Sequence, residues 1–137
     1  MRKQFLYFFV IGLIFMSEAQ ADKDIQEFIT KGGTGKYHCA YQSKQASQTC
    51  TVIVKKEMIN HPAFVMWHGK PDRGNVITIQ WPDGDESRYT ETDSGEMINL
   101  GNQKGFGDYH LSGDEVEQDW SRGFVIEKSG AEYIRLW

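Results

Sequence analysis

Four histidines and a small cluster of carboxylates are the side chains that could bind a metal ion. The histidines are far apart, with no pair separated by two or four residues: His38, His61, His68 and His110. A separation of two residues in a strand, or of four in a helix, would place two imidazoles on one face. The carboxylates of Asp83, Asp85 and Glu86 lack EF-hand spacing and are typical of a charged turn. We therefore expect no metal and no cofactor; a zinc site assembled from distant strands is the alternative.

A second group of carboxylates forms an acidic run in which the only opposing side chain is His110. Its members are Asp108, Asp114, Glu115, Glu117 and Asp119. Because successive side chains of a strand point to opposite faces, Glu115, Glu117 and Asp119 would form one acidic stripe. Such a stripe would steer a basic protein toward the chain, and a solvated hairpin without a partner is the alternative.

Nucleophile and phosphate-binding motifs are not recognisable in the sequence. Serines such as Ser94 and Ser129 do not stand in a Gly-x-Ser-x-Gly elbow. Residues 31–36 have the glycines of a phosphate-binding loop, but Thr30 replaces its first glycine and Tyr37 its Ser or Thr. We therefore expect no enzyme; a small envelope hydrolase built on Asp and Glu carboxylates is the third hypothesis.

The remaining candidate is the run Ser129-Gly130-Ala131-Glu132-Tyr133. Gly130 allows a sharp turn that presents the small hydroxyl of Ser129 at a loop tip, and Tyr133 can support that loop with its ring and hydroxyl. A rigid protruding loop loses little entropy on binding and therefore suits insertion into a cleft. An ordinary hairpin turn before a core tyrosine is the alternative.

This Ser-Gly-x-x-Tyr run resembles the loop motif of the bacterial periplasmic lysozyme inhibitors, which are small exported all-β proteins. The resemblance implies that Ser129 enters a lysozyme cleft and reaches its catalytic carboxylates, with Gly130 as the turn and Tyr133 as the support. The motif is nearer the carboxyl terminus, and the cysteines are earlier, than in inhibitors of c-type lysozymes. Inhibitors of invertebrate-type lysozymes match no worse, so the target class stays open.

The first 21 residues predict a cleaved signal peptide. Basic residues precede an apolar stretch over residues 5–16, and Ala19-Gln20-Ala21 is a small-x-small cleavage pattern. The remaining 116 residues carry 13 basic and 18 acidic side chains, a net charge of −5 with neutral histidines. This charge repels nucleic acid and anionic membranes and attracts basic partners. We expect a periplasmic or secreted protein with no nucleic-acid partner and no membrane insertion; an uncleaved anchor is the alternative.

Residues 75–90 give the clearest structural pattern. The turn residues Pro-Asp-Gly-Asp at 82–85 separate two alternating runs, with Ile77, Ile79 and Trp81 on one face of the first. This pattern predicts an antiparallel hairpin. Cys39 and Cys50 fall on neighbouring predicted strands, which would bring them close enough for a structural disulfide in an exported protein.

Short runs separated by turn residues continue from Tyr37 to Trp137, and they include the apolar stretch at residues 62–68. They predict an all-β fold: a single small antiparallel β-sandwich or barrel of about eight short strands with one disulfide. Residues 37–137 would form this β domain, and residues 22–36 a flexible segment or short helix with a flexible link over 31–36.

Taken together, these patterns favour a non-enzymatic exported inhibitor of a lysozyme or related muramidase. Its predicted partner-binding residues are Ser129, Gly130, Tyr133, Glu115, Glu117 and Asp119. The alternative is an exported protein-binding module with another target, such as a toxin immunity protein or an envelope assembly component.

Overall fold

Eight strands and two helices make up the described part of the chain. The computed structural model describes residues 23–42, 48–92, 95–101, 111, 115–120, 123–129 and 132–137. The strands are β1 (Gly33–Tyr41), β2 (Gln48–Ile59), β3 (Asp72–Gln80), β4 (Glu86–Glu91), β5 (Glu96–Gly101), β6 (Glu115–Asp119), β7 (Phe124–Ser129) and β8 (Glu132–Leu136). The helices are α1, over residues 23–31, and α2 (Pro62–His68).

Each strand pairs antiparallel with the next, and β8 returns to pair with β1, so that the sheet closes into a barrel. The predicted all-β fold of about eight short strands is therefore confirmed, and the barrel is the form it takes. Helices in the described segments are all too short or too polar to cross a bilayer.

The hairpin predicted around residues 82–85 joins β3 to β4. Ile77 pairs with Tyr89 and Ile79 with Ser87, as alternation on both sides of a tight turn requires. Gly84 adopts a φ of 90°, a left-handed conformation that strongly favours glycine. The inward face of this hairpin, which includes Ile77, Ile79 and Tyr89, is buried in the main core.

The predicted disulfide is present and lies inside the barrel. Cys39 and Cys50 are buried, and their Cα atoms are 5.8 Å apart. Because Cys39 pairs with Gln48 and Tyr37 with Cys50, the two cysteines occupy diagonal positions on the inward face of β1 and β2. The bond therefore fastens together two strands that are already neighbours, and it fits an oxidising compartment.

Helix α1 contributes to the same core as the barrel. Ile25 and Ile29 are buried in it, and the Phe28 ring lies 4.9 Å from the Tyr37 ring. The Gln26 side-chain amide donates to the Trp120 carbonyl oxygen at 3.0 Å, which fixes the helix to the connection between β6 and β7.

The prediction of a flexible link over residues 31–36 is wrong for residues 33–36, which belong to β1. Residue 31 ends α1, and β1 begins at Gly33, four residues before the predicted strand start at Tyr37. The glycines at positions 32 and 33 have positive φ values of 86° and 132°, which allow the chain to turn directly from helix to strand.

Residues 62–68, which the sequence analysis grouped with the strands, form helix α2 instead. The His61 Nδ1 atom accepts a hydrogen bond from the Ala63 N–H at 3.2 Å, and Pro62 occupies the first turn. Gly69 ends the helix in a left-handed conformation and donates its N–H to the Val65 carbonyl oxygen at 2.7 Å. Phe64 buries itself in a second, smaller cluster on the outer face of the barrel, which also contains Ile59, Val76 and Ile98.

Candidate functional site

The Ser-Gly-x-x-Tyr run lies in the hairpin between β7 and β8. Ser129 is the last residue of β7 and pairs with Glu132, the first residue of β8. This motif hairpin, defined by residues 127–133, is therefore tight. Gly130 lies outside the described residues, and Tyr133 is half-buried on β8.

The end of β1 holds the motif hairpin in place. The Gln42 N–H donates to the Tyr133 carbonyl oxygen at 2.7 Å. Gln42 has a φ of 60°, a left-handed conformation that is unfavourable for most residues other than glycine. Burial raises the pKa of the neighbouring Tyr41 hydroxyl, and the negative charge of Glu132 raises it further. The hairpin is thus fixed by a backbone hydrogen bond to an adjacent strand as well as by its own pairing.

The acidic stripe predicted on β6 alternates as expected. Glu115 and Glu117 are exposed, Asp119 is half-buried, and Val116 between the two glutamates is buried in the core. Two other members of the acidic run, Asp108 and Asp114, lie outside the described residues.

Pairing with the neighbouring strands extends this stripe into a row of three glutamates. Glu117 pairs with Glu96 of β5 on one side and with Glu127 of β7 on the other. Glu127 in turn pairs with Tyr133. The ion pairs of His68 with Asp72 and of Arg88 with Glu57 do not involve this glutamate row. The row therefore crosses three strands of the outer wall and reaches the motif hairpin.

Like charges directly opposite each other on neighbouring strands destabilise a sheet. The glutamate row contains two such pairs, between Glu96 and Glu117 and between Glu117 and Glu127. A basic partner would relieve this repulsion on binding, because its charges would neutralise all three carboxylates. The sequence analysis missed Glu96 and Glu127, since each lies far along the chain from the acidic run and only strand pairing brings them together.

The histidines do not form a site within the described residues. His38 stacks on Trp137 with ring centroids 5.5 Å apart, His61 caps α2, and the Nε2 atom of His68 lies 2.9 Å from Asp72 Oδ2. His110 lies outside the described residues. Across the described ranges, no group of three His, Cys, Asp or Glu side chains is arranged to hold a metal ion.

The carboxylates of the β3–β4 turn accept hydrogen bonds from backbone N–H groups at the turn. Asp83 Oδ1 accepts the Asp85 N–H at 2.9 Å, and Asp85 Oδ1 accepts the Glu86 N–H at 2.9 Å. The interpretation of these residues as a turn agrees with these hydrogen bonds.

Two of the surface clefts formed by the described residues contain polar side chains. One, of about 420 Å³, lies beside the β3–β4 turn and is lined by Lys36, Thr51, Gln80 and Glu86; the Gln80 amide donates to Glu86 at 3.0 Å. The other, of about 280 Å³, lies beside α2 and is lined by Trp67, Arg73, Thr90 and Glu91. Desolvation raises the pKa of Glu91. Neither cleft pairs a Ser or Cys nucleophile with a base, and neither includes the glutamate row.

Comparison with protein-family models, with curated proteins and with solved structures found no match to this chain.

Proposed function

We propose that this chain is a periplasmic or secreted inhibitor that binds a lysozyme or related muramidase. The motif hairpin would enter the cleft of the target, with Ser129 as the probing side chain and Tyr133 as its support. The glutamate row beside the hairpin would attract and orient the target, because lysozymes are typically basic.

The observation that carries this proposal is the glutamate row itself. Three carboxylates in direct register reduce the stability of the free protein, so their presence is better explained by a cationic partner than by folding. Their connection to the motif hairpin through the Glu127–Tyr133 pair puts the charge beside the loop that resembles an inhibitor motif.

The same carboxylates give little support to hydrolysis. Glu96 and Glu117 are exposed on the outer wall of the barrel, where no described residue encloses a substrate or excludes water. An acid and a base for glycoside cleavage would need to flank a bound sugar. Binding through complementary charge needs only the accessible surface that these residues provide.

A lytic assay tests the proposal, using c-, g- and invertebrate-type lysozymes with and without the purified mature chain. We expect inhibition of at least one class. Ser129→Ala and Tyr133→Ala should each weaken it roughly tenfold or more, since central contact residues commonly contribute about 2 kcal/mol or more to binding. Full inhibition by both variants would remove the motif hairpin from the mechanism.

The contribution of charge has a matched control. Glu117→Gln should slow association with lysozyme and weaken its dependence on ionic strength, measured by surface plasmon resonance. Glu27→Gln removes an equally exposed glutamate from α1 and should change neither. If no lysozyme of any class is bound, the proposal fails, and a protein-binding module with another basic target becomes the better hypothesis.

A further inference from the structure

The hairpin of β2 and β3 extends beyond the rest of the barrel wall. The ladder of β1 along β2 ends at Val54, and the ladder of β4 along β3 ends at Val76. The β2–β3 ladder continues for four further pairs, from Lys56 with Asn75 to Ile59 with Asp72. At about 3.3 Å per residue, this extension is roughly 13 Å long, and Ile59 and Phe64 beyond it pack against Val76 and Ile98 of the barrel wall. With α2 at its end, it forms a tip that we define as residues 55–75.

The tip carries large apolar side chains that the fold leaves in contact with solvent. Among the described residues, three large hydrophobic side chains are exposed, and all three belong to it: Met58 at 62%, Met66 at 87% and Trp67 at 42%. Helix α2 packs on the barrel through Phe64. The Trp67 ring lies edge-on to the Phe64 ring, with centroids 5.8 Å apart, and Met66 belongs to neither buried cluster.

The tip is also basic, in contrast to the chain as a whole. Lys55, Lys56, Lys70 and Arg73 are exposed. Its two acidic side chains are already paired: Glu57 with Arg88 at 3.2 Å, and Asp72 with His68 at 2.9 Å. The tip therefore carries a local excess of positive charge, although the full chain has a net charge of −4.

We propose that this tip docks onto the surface of an anionic phospholipid bilayer. A tryptophan and two methionines can enter the headgroup region, while the surrounding lysines and arginine meet the lipid phosphates. Exposed tryptophan and methionine side chains next to basic residues are the combination that an anionic bilayer surface attracts.

The negative net charge of the chain does not oppose this docking, because the acidic glutamate row and the basic tip lie on different walls of the barrel. Strand β6, at the centre of the glutamate row, is four places from β2 in a ring of eight strands and so lies across the barrel. Contact through the tip would keep the glutamate row away from the lipid. The motif hairpin lies at the other end of the barrel, since β8 begins beside Tyr41, at the end of β1 farthest from the tip.

Flotation of the mature chain with vesicles tests this proposal. We expect binding to vesicles of phosphatidylcholine with phosphatidylglycerol, and much weaker binding to phosphatidylcholine alone. Lys55→Gln with Lys56→Gln should lower the partition coefficient about thirtyfold, since each basic residue near such a surface contributes about 1 kcal/mol. The matched control, Lys36→Gln with Lys128→Gln, removes two exposed lysines outside the tip and should leave binding nearly unchanged.

The apolar contribution is tested with Met66→Ser and Trp67→Ser together. We expect vesicles to shift the tryptophan emission of the wild type to shorter wavelength, and this variant should lose both vesicle binding and that shift. Equal binding to neutral and anionic vesicles, or full binding by this variant, would overturn the proposal. So would a shift from dimer to monomer by the same variant in sedimentation velocity, which would assign the tip to a second copy of the chain.

The lipid proposal is independent of lysozyme inhibition. Ser129→Ala should keep its vesicle binding, and the tip variants should keep any inhibition of lysozyme. Failure of one proposal is therefore distinguishable from failure of the other.

Discussion

At the scale of single residues, Tyr89 places a polar hydroxyl group in the apolar interior of the barrel. Its side chain is fully buried among apolar residues of the core. The nearby Leu111 carbonyl oxygen already accepts the Asn99 side-chain amide at 2.8 Å, and the Tyr89 hydroxyl has no hydrogen bond of good geometry within the described residues. Burial strongly raises the pKa of this hydroxyl, and the neighbouring Tyr41 raises it further.

We predict that Tyr89 makes the fold sensitive to high pH. Below pH 10 the phenol is neutral in both states; above it, the unfolded chain loses a proton that the folded chain retains. The free energy of unfolding should therefore fall as the pH rises from about 10 to 12, by up to about 1.4 kcal/mol per pH unit from this group.

Urea denaturation of the wild type and Tyr89→Phe at a series of pH values measures this effect. The variant should lose stability less steeply above pH 10, and at pH 8 its stability should differ by no more than about 1 kcal/mol, since the hydroxyl removed is poorly satisfied. Identical alkaline slopes would contradict the assignment.

At the scale of elements, the two helices contribute differently to the fold. Helix α1 places Ile25 and Ile29 in the barrel core, so it acts as part of the domain. Helix α2 packs on the outside through Phe64 and leaves its other face exposed.

We predict that Ile25→Ala lowers the free energy of unfolding by about 3 kcal/mol, because it leaves a cavity in a closely packed core. Glu27→Ala, on the exposed face of the same helix, should change stability by less than about 0.5 kcal/mol. Thermal and urea denaturation of both variants measure this difference. Similar stability of the two variants would mean that α1 is a dispensable tail.

The sequence could predict the elements whose signals are local. The β3–β4 hairpin depends on neighbours in the chain, and its prediction is confirmed. Helix α1 occupies residues 23–31 of the stretch for which a flexible segment or a short helix was predicted. Helix α2 was missed because His61 is an uncommon capping residue and its apolar run fits a strand equally well. The glutamate row could not be predicted, because the pairing of Glu117 with Glu96 and Glu127 is decided by strand register.

At the scale of the whole molecule, the barrel closes through a short contact between its first and last strands. Strand β8 pairs with β1 over three residues, from Cys39 with Leu136 to Tyr41 with Ile134. Backbone hydrogen bonds extend this contact at both ends: between His38 and Trp137 at 3.0 and 3.1 Å, and from the Gln42 N–H to the Tyr133 carbonyl oxygen at 2.7 Å. The disulfide fastens β1 to β2 from within this same region, because Cys39 belongs to both contacts.

We predict that Cys39→Ala with Cys50→Ala lowers the free energy of unfolding by about 3 kcal/mol, as expected for a short cross-linked loop. Hydrogen exchange should accelerate most in β1 and β8, where closure depends on few hydrogen bonds. A reducing agent should destabilise the wild type by a similar amount and leave the double variant unchanged. Uniform acceleration across all strands would show that the disulfide does not act through the closure.

The circular arrangement of the strands also affects how the chain behaves when it is concentrated. Every strand pairs with two neighbours, so most of the described barrel wall offers no free edge onto which another chain could add and seed a fibril; the exception is the β2–β3 hairpin beyond Val54 and Val76. Separation of β1 from β8 would expose two such edges at once. This short contact, like the one between β5 and β6, therefore also affects how readily the chain aggregates.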